Sequence, residues 1–290
     1  MNHHHERRVG WIGIGAMGGP MAGHVARQGQ LALIGNRTLS RAEALARELG
    51  VASASKHEAF VDCEVVALCV GGDQDVLDNV RALARIMQPG SIVVDHSTVS
   101  VSTARAAAEC LAAAEVGFLD APVSGGVEGA RLGRLSIMVG GSAETLQRAE
   151  PVLQCYAARI AHMGPSGAGQ ATKAVNQAIV AGINEAVCEG LALGERLGLD
   201  AEILLPTLQA GAAASWFLDK RGATMLRDAF TPGFKSAHMA KDLRIVQSMA
   251  EQAGMRHPMI DLALQDYAEL ERCGAGDLDT SALIRLKRPG

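Results

Sequence analysis

The chain has 290 residues, of which 48% are hydrophobic and 20% are charged, so it can bury one large core or two medium ones. A formal net charge of −4 argues against a nucleic-acid or membrane surface, and no apolar run is long enough to cross a bilayer. The six cysteines are scattered without a Cys-x-x-Cys pair, which is typical of unpaired thiols in a reducing cytoplasm.

The first half of the chain alternates apolar runs with helical periods. Its polar start lacks the apolar core of a signal peptide and leaves open whether the histidines at 3–5 are native. Strands are predicted at 9–14, 31–35, 65–70, 91–95, 117–121, 135–139 and 159–162. Helices are predicted at 20–28, 39–49, 76–87, 102–114 and 143–153, with Thr38 or Ser40, Ser102 and Ser142 as N-caps. This alternation predicts an α/β fold with a Rossmann-type, doubly wound and mostly parallel sheet.

The second half shows helical periods and almost no apolar runs of strand length. Helices are predicted at 170–197, 201–209, 215–226, 238–253, 258–272 and 280–286. The first of these would be roughly 40 Å long, which suits a spine between two domains. We therefore predict a nucleotide-binding domain at 1–163 and an all-α domain at 164–290, joined at the glycine-rich segment 164–169.

A glycine-rich motif follows the first predicted strand. Gly13, Gly15 and Gly18, with Ala16 and Met17, form the pattern G-x-G-x-x-G at the opening of a helix. The glycines permit a tight turn and a close approach of the backbone to a pyrophosphate, while the helix N-terminus supplies N–H groups. The motif alone is weak, but its position in the first βαβ unit predicts a dinucleotide site.

The end of the second predicted strand indicates which dinucleotide binds. Asn36, Arg37 and Thr38 stand where an NAD-binding chain usually has an acidic residue, and Arg41 follows a turn later. A guanidinium can grip a 2′-phosphate, so we predict NADP as the preferred cofactor, with NAD possible. The alternative is that both arginines are solvated surface charges.

The long predicted helix carries a lysine in an apolar setting. Lys173, Asn176, Gln177 and Asn184 interrupt it at spacings that align on one face. Burial generally favours the neutral amine of lysine, which can then exchange protons near neutral pH. Taken alone, the pattern favours the simpler interpretation of a lysine whose stem packs while its head reaches water.

Two further segments follow predicted strands. The first is the segment 120–126, Asp-Ala-Pro-Val-Ser-Gly-Gly. The hydroxyl of Ser124 and the N–H groups of Gly125 and Gly126 could bind a carboxylate, although an ordinary loop would have the same sequence. Asp95-His96-Ser97-Thr98 cannot form a hydrolase triad, because neighbouring side chains on a strand diverge. Ser97 and Thr98 are expected near the nicotinamide end of the cofactor, with capping by Ser97 nearly as good an interpretation. The nine histidines show no metal-ligand spacing, so no metal is expected.

Together, these segments resemble in order, and over nearly the whole chain, the β-hydroxyacid dehydrogenase family, which includes hydroxyisobutyrate dehydrogenases and tartronate semialdehyde reductases. The matching segments are Gly-Ile-Gly-Ala-Met-Gly at 13–18 with Pro20-Met21-Ala22, Asp-Ala-Pro-Val-Ser-Gly-Gly at 120–126, the segment 167–176, and Lys241-Asp242-Leu243. The resemblance implies a Rossmann domain, a long interdomain helix, an all-helical domain, and a homodimer or homotetramer joined through the helical half.

The resemblance also implies roles for individual residues. Lys173 would be the general acid/base, assisted by Asn176. Ser124, Gly125 and Gly126 would hold the substrate carboxylate. Thr98 and Lys241 would contact the cofactor, although local spacing alone suggests a surface ion pair for Lys241. The family often has a second asparagine where this chain has Gln177, which we expect to line and re-aim the substrate pocket.

The expected function is an NADP(H)-dependent interconversion of a short β- or γ-hydroxy carboxylic acid and its semialdehyde. One alternative is an imine reductase on the same scaffold, although that relative usually lacks the lysine. Another is a non-catalytic NADP-binding protein, which loss of Lys173 or of the Ser-Gly-Gly turn would have favoured. The expected partners are a small carboxylate substrate and further copies of the chain, without nucleic acid or membrane.

Overall fold

The structure is a computed structural model that describes residues 8–288, so the histidines at 3–5 lie outside the described residues. Contacts divide the chain into two compact units, one ending at Lys173 and the other beginning at Ala174. The first is a mostly parallel sheet flanked by helices and the second is helical, so the predicted fold class is confirmed. The boundary predicted between residues 163 and 164 precedes the long helix in which this division falls.

The first unit is built on a single sheet. Its strands are β1 (Val9–Ile12), β2 (Leu31–Gly35), β3 (Ala52–Ala54), β4 (Val65–Leu68), β5 (Ile92–Asp95), β6 (Gly117–Asp120), β7 (Val123–Ser124), β8 (Leu135–Gly140) and β9 (Ala157–Gly164). The order is β3-β2-β1-β4-β5-β6-β8-β7, with β9 also paired to β8. The first six strands in this order, from β3 through β2, β1, β4 and β5 to β6, pair in parallel. Strand β8 runs antiparallel to β6 and β7.

Helices cover both faces of this sheet. They are α1 (Gly18–Arg27), α2 (Leu39–Leu49), α3 (Asp73–Leu83), α4 (Val101–Ala112), α5 (Gly126–Leu132) and α6 (Ala143–Leu153). Val65 and Ala67 of β4 pack into a cluster with residues of α1 and α2, while Val66 and Leu68 pack into a second cluster with residues of α3 and α4. Successive side chains of a strand point to opposite faces, so a continuously apolar strand must be covered twice.

The elements that the sequence missed are short or rich in glycine. Strands β3 and β7 have three and two residues, too few to establish a period. Helix α5 carries two glycines in seven residues, which lowers its helical propensity. Helix α3 begins at Asp73 and ends at Leu83, earlier than the predicted 76–87.

The predicted N-caps have mixed outcomes. Ser142 caps α6 by accepting a hydrogen bond from the Thr145 backbone N–H, as predicted. For α4 the cap is Ser100 rather than Ser102, because Ser100 accepts from the Thr103 N–H. Thr38 occupies the N-cap position of α2, but its side chain makes no capping hydrogen bond.

The second unit consists of helices around one apolar core. Helix α7 (Ala168–Arg196) begins in the first unit and continues into the second. It is followed by α8 (Ala201–Gln209), α9 (Trp216–Leu226), α10 (Ser236–Gln252), α11 (Pro258–Arg272) and α12 (Ile284–Lys287), with a 3-10 turn at Thr280–Leu283. Large side chains of its core include Leu191, Leu243 and Tyr267, all at most 1% exposed. Among residues 8–288, none of the helices is long and apolar enough to cross a membrane.

One buried carboxylate organises the loop before α10. Asp279, 1% exposed, accepts hydrogen bonds from the backbone N–H groups of Gly233 and Phe234 at 2.8 and 3.2 Å. It also accepts from the Ser281 hydroxyl at 2.7 Å and pairs with Arg221 at 3.1 Å. A buried charge is tolerated when it is paired and hydrogen-bonded in this way.

In the first unit, His96 belongs to the core. It is 3% exposed, stacks on Trp11 with ring centroids 5.8 Å apart, and bonds through Nδ1 to the Ala121 carbonyl at 2.7 Å. A carbonyl can only accept, so Nδ1 carries the hydrogen, and Nε2 accepts from the Tyr156 hydroxyl at 2.8 Å. Both ring nitrogens are therefore satisfied in the neutral form, and burial lowers the pKa of His96 to about 4.

This depressed pKa predicts an acid-sensitive stability. Between the unfolded pKa near 6.5 and the folded value of about 4, the unfolded chain binds more protons, so the free energy of unfolding falls as the pH falls. The shift is worth about 3 kcal/mol across this window. Chemical denaturation at pH 7, 5.5 and 4 should show this fall in the free energy of unfolding for the wild type and not for His96→Gln. Equal pH slopes for the two proteins would contradict the assignment.

Candidate active site

The three glycines of the first loop have different surroundings. A Cβ at Gly13, whose φ is +92°, would collide with the Cys69 carbonyl, and one at Gly18 would collide with the Gly13 carbonyl. Nothing lies within 4 Å of a Cβ at Gly15, which is exposed together with Ala16. The outer glycines are thus required by packing, while the middle one leaves its backbone open to a ligand.

The same loop leads into a helix that suits an anion. Met17 occupies the N-cap position of α1 without a side-chain capping bond, and no acidic residue lies in the first turn. The N–H groups and positive potential of this helix terminus are therefore not offset by a local carboxylate. The residues present thus fit a dinucleotide pyrophosphate.

The segment after β2 carries the residues predicted to choose the cofactor. The Asn36 side chain accepts a long bond from the Ile14 N–H at 3.4 Å and donates to the Thr38 carbonyl at 3.0 Å, which ties this segment to the glycine loop. Arg37 and Arg41 are exposed, and among residues 8–288 no salt bridge engages either guanidinium. Both can therefore turn toward an anionic ligand at little cost.

The segment after β5 is anchored on both sides of Thr98. Ser97 accepts a bond from the Val70 N–H at 2.9 Å, so its hydroxyl holds the loop after β4. Gln170, 1% exposed at the start of α7, accepts from the Val99 N–H at 3.2 Å and donates to the Ser97 carbonyl at 2.7 Å. The Ser97 hydroxyl therefore ties two loops together and caps neither α3 nor α4, and these bonds fix the backbone that carries the half-buried Thr98.

A second anchor lies one residue further along this segment. Asp73, at the start of α3, accepts from the Ser100 N–H at 3.0 Å and from the hydroxyls of Ser100 and Thr103 at 2.6 Å each. These hydrogen bonds outweigh the effect of burial and lower the pKa of Asp73. Asp73 and Gln170 carry no recognisable signal in the sequence, because their hydrogen-bond partners are distant in the chain.

The Ser124 turn has a backbone that requires glycine. Gly125 and Gly126 have φ of +129° and +62°, values that side chains disfavour. Ser124 is half-buried at the end of β7, and Gly125 is exposed. The turn therefore combines a hydroxyl with accessible backbone, as the carboxylate interpretation expects.

Lys173 lies against this turn. Its side chain is 8% exposed, and Nζ donates to the carbonyl of Val123 at 3.0 Å. Val123 immediately precedes Ser124, so the amine and the candidate carboxylate-binding hydroxyl belong to neighbouring positions. The helical pattern taken alone favoured a head that reaches water, whereas the Lys173 side chain is buried in the structure.

The position of Lys173 depends on a buried carboxylate at the end of β6. Asp120 is 0% exposed and accepts from the Gly167 N–H at 2.8 Å and the Gln170 N–H at 2.9 Å, at the first turn of α7. Burial raises the pKa of Asp120, and these N–H groups oppose that rise. A Cβ at Gly140 or Gly169 would collide with the carboxylate or carbonyl of Asp120, so this close contact needs both glycines.

The second unit contains a connected set of polar side chains. The Asn176 amide donates to the Gln177 oxygen at 2.9 Å, and the Gln177 amide donates to Asp242 at 2.8 Å. Lys241 pairs with the other oxygen of Asp242 at 3.1 Å. Lys241 is thus the partner of a buried aspartate, and Gln177, 3% exposed, is engaged within the protein. Among residues 8–288, no group of three metal-ligating side chains could hold an ion.

Comparisons with known proteins show similarity over nearly the whole chain. Residues 8–164 match the family model for the NAD binding domain of 6-phosphogluconate dehydrogenase, and residues 167–287 match that for NAD-binding of NADP-dependent 3-hydroxyisobutyrate dehydrogenase. A probable 3-hydroxyisobutyrate dehydrogenase-like mitochondrial protein of Arabidopsis thaliana is 35% identical, covering 96% of this chain and 84% of its own. An NAD-dependent L-serine dehydrogenase of Pseudomonas aeruginosa is 33% identical over 98% of both chains.

A solved structure is similar over its full length. The Mycobacterium tuberculosis 3-hydroxyisobutyrate dehydrogenase determined with L-serine matches with a TM-score of 0.89 and 32% identity, covering 98% of this chain and 99% of that one. With both family models matched in order, these similarities show that the chain belongs to the β-hydroxyacid dehydrogenase family of NAD(P)-binding oxidoreductases.

Proposed function

We propose that the protein interconverts a short β- or γ-hydroxy carboxylic acid and its semialdehyde with NADP(H), using Lys173 as general acid and base. The observation that carries this proposal is the buried Lys173 amine, held 3.0 Å from the carbonyl of Val123 beside Ser124. Burying an ammonium group is costly, and titratable groups held in such surroundings are common where a proton must be transferred.

The reaction divides between a binding turn and a proton donor. The substrate carboxylate binds to the Ser124 hydroxyl and the N–H groups of Gly125 and Gly126. A bound reduced nicotinamide supplies the hydride for the carbonyl carbon. Lys173 donates a proton to the carbonyl oxygen as it becomes a hydroxyl, and it is reprotonated from solvent. In the oxidative direction, Lys173 removes the hydroxyl proton, and Asn176 positions the hydroxyl or the amine.

The proposed substrates share a carboxylate and a nearby hydroxyl. Two relatives are named for L-serine and for 3-hydroxyisobutyrate. Both compounds are β-hydroxy acids and fit this requirement. L-serine has an amino group where 3-hydroxyisobutyrate has a methyl group. The protein residues around the carbon between the carboxylate and the hydroxymethyl group would therefore decide the preference.

Cofactor contacts are proposed for the glycine loop, for Thr98 and for Lys241. NADP is preferred in this proposal, because Arg37 and Arg41 stand beyond β2 where a carboxylate would repel a 2′-phosphate. The family model matched by the second unit is described as NADP-dependent, whereas the serine dehydrogenase is described as NAD-dependent.

The proposed assembly is a homodimer or homotetramer in the cytoplasm. Three residues of α7 (Val175, Ile179 and Leu193) and Leu197, directly after its end, are apolar and 59–65% exposed. Exposed apolar side chains of this kind are often covered in an interface. None of the six cysteines, all of which lie within residues 8–288, forms a disulfide, which supports a reducing compartment.

Lys173→Met tests the proton-transfer role while preserving the apolar stem. We expect kcat for semialdehyde reduction to fall by about 10²–10⁴-fold, because general acid-base catalysis supplies about that much. The Kd for NADPH, measured by fluorescence quenching, should stay within about threefold, since Lys173 would not hold the cofactor. Lys220→Ala, at an exposed lysine paired with Asp219, is the matched control and should keep wild-type kcat. Turnover above one tenth of wild type in Lys173→Met would refute the role.

Arg37→Glu tests cofactor choice. The variant should raise KM for NADPH by about tenfold or more and leave KM for NADH similar or lower, because a carboxylate repels the 2′-phosphate and accepts from a ribose hydroxyl. The control variant is Arg47→Glu, in the last turn of α2, which should change neither KM. A wild-type enzyme that prefers NADH would overturn the cofactor assignment.

The exposed face of α7 predicts that its disruption changes the assembly. Wild type should elute as a dimer or tetramer in light-scattering chromatography, and the double variant Leu193→Glu/Leu197→Glu should shift to a smaller species, because charges there oppose burial. Leu132→Glu, at a residue 57% exposed in the first unit, is the control and should not shift. A monomeric wild type, or an unchanged mass in the double variant, would contradict this interface.

A further inference from the structure

The amide of Gln177 is committed to partners inside the protein. Its nitrogen donates to Asp242 Oδ2 at 2.8 Å and lies 4.0 Å from the Met239 sulfur, and both of these residues are on α10. Its oxygen accepts from the Asn176 Nδ2 at 2.9 Å. With 3% of its surface exposed, Gln177 offers little to a substrate directly. The sequence-based expectation that it lines the pocket therefore gains no support from these contacts.

The direction of this hydrogen-bond chain is set at its buried end. Asp242 is 3% exposed and paired with Lys241, and an ionised carboxylate only accepts hydrogen bonds. Gln177 must consequently turn its nitrogen toward Asp242 and its oxygen toward Asn176. Asn176 must then turn its nitrogen toward Gln177, so its amide oxygen faces the other way, as an acceptor.

From this geometry we infer that Gln177 is a positioning residue, which transmits the orientation set by the Asp242–Lys241 pair to Asn176. Its extra methylene relative to asparagine lets one side chain reach both Asn176 on its own helix and Asp242 on α10. Asn176 is thereby held in one amide orientation, in which its oxygen can accept from the substrate hydroxyl or from the Lys173 amine that it positions in the proposed function. This inference rests on the proposed function, in which Asn176 contacts the reacting group.

A double-mutant cycle separates an indirect role from a direct one. If Gln177 acts only through Asn176, Gln177→Ala should lower kcat by about five- to tenfold, which corresponds to the loss of one hydrogen bond. The double variant Asn176→Ala/Gln177→Ala should then be no slower than Asn176→Ala alone, within about twofold. Losses that multiply in the double variant, or wild-type kcat in Gln177→Ala, would overturn the inference.

The pH profile of Gln177→Glu gives a readout that a purely structural role would not move. A protonated glutamic acid can donate to Asp242 and accept from Asn176, as the glutamine does. Its ionised form would face the Asp242 carboxylate and repel it. The charged or titratable groups nearby are Lys173, four residues earlier on α7, and Asp242, Lys241 and His238 on α10. Burial together with the charge of Lys241 lowers the pKa of His238. We expect kcat of Gln177→Glu to rise toward wild type as the pH falls, through an ionisation absent from the wild-type profile.

Asn184 provides the matched control on the same helix. It is 0% exposed, and its amide donates to the Tyr267 hydroxyl at 2.8 Å, outside the chain that leads to Asn176. Asn184→Asp should lower the melting temperature without adding an ionisation to the kcat profile. Should Gln177→Ala fold poorly, the near-isosteric Gln177→Glu carries the test alone. A Gln177→Glu profile parallel to wild type would overturn the inference.

The cycle also distinguishes this inference from the proposed function. Wild-type kcat in both Lys173→Met and Asn176→Ala would remove the proposed function itself. If Lys173→Met and Asn176→Ala are slow while the losses from Asn176→Ala and Gln177→Ala multiply, the proposed function stands. Only the positioning role of Gln177 is then refuted.

Discussion

The buried carboxylate of Asp120 is the interaction on which the candidate site depends. It receives two backbone N–H groups from the first turn of α7, where a long helix concentrates positive potential and unpaired donors. Because α7 is fixed at this end, the side chain one turn later, that of Lys173, is held against the carbonyl of Val123. The same segment, residues 120–126, thus provides both the anchor of the helix and the turn that its lysine contacts.

Close backbone packing makes this arrangement possible and explains several glycines of the first unit. At Gly140 and Gly169 a side chain would occupy the space that Asp120 needs, and at Gly13 and Gly18 it would collide with neighbouring carbonyls. Gly15 differs, because its surroundings are empty and a ligand could fill them. These five glycines therefore serve either packing or access, and the motif pattern alone does not show which.

Much of the fold could be predicted from the sequence, because long periodic segments carry a strong signal. Helices α2, α6, α8 and α11 have the predicted bounds, and the buried strands of the parallel sheet read as continuous apolar runs. Short elements such as β7 and α5 escaped, since two or seven residues establish no period. The cap at Ser100 was missed because Ser102 offers the same side chain two positions later.

Less of the site could be predicted, because its contacts join residues far apart in the chain. The motifs indicated Lys173 and the Ser124 turn, but not the contact between Lys173 and Val123. Asp120 belongs to the motif at 120–126, and nothing in the sequence indicates that it anchors α7. His96, which stands between Asp95 and Ser97 in the sequence, is a neutral core residue, since Ala121 and Tyr156 satisfy both ring nitrogens. The sequence predicted that Gln177 lines the substrate pocket, and only the structure reveals its hydrogen bond to Asp242.

The most direct test of the account is a crystal structure of the protein with NADP and a hydroxy acid bound. The account predicts a substrate carboxylate on the Ser124 turn and a reacting oxygen within about 2.6–3.2 Å of Lys173 Nζ, the range required for proton transfer. A carboxylate bound elsewhere, or a reacting oxygen beyond the reach of Lys173, would contradict it.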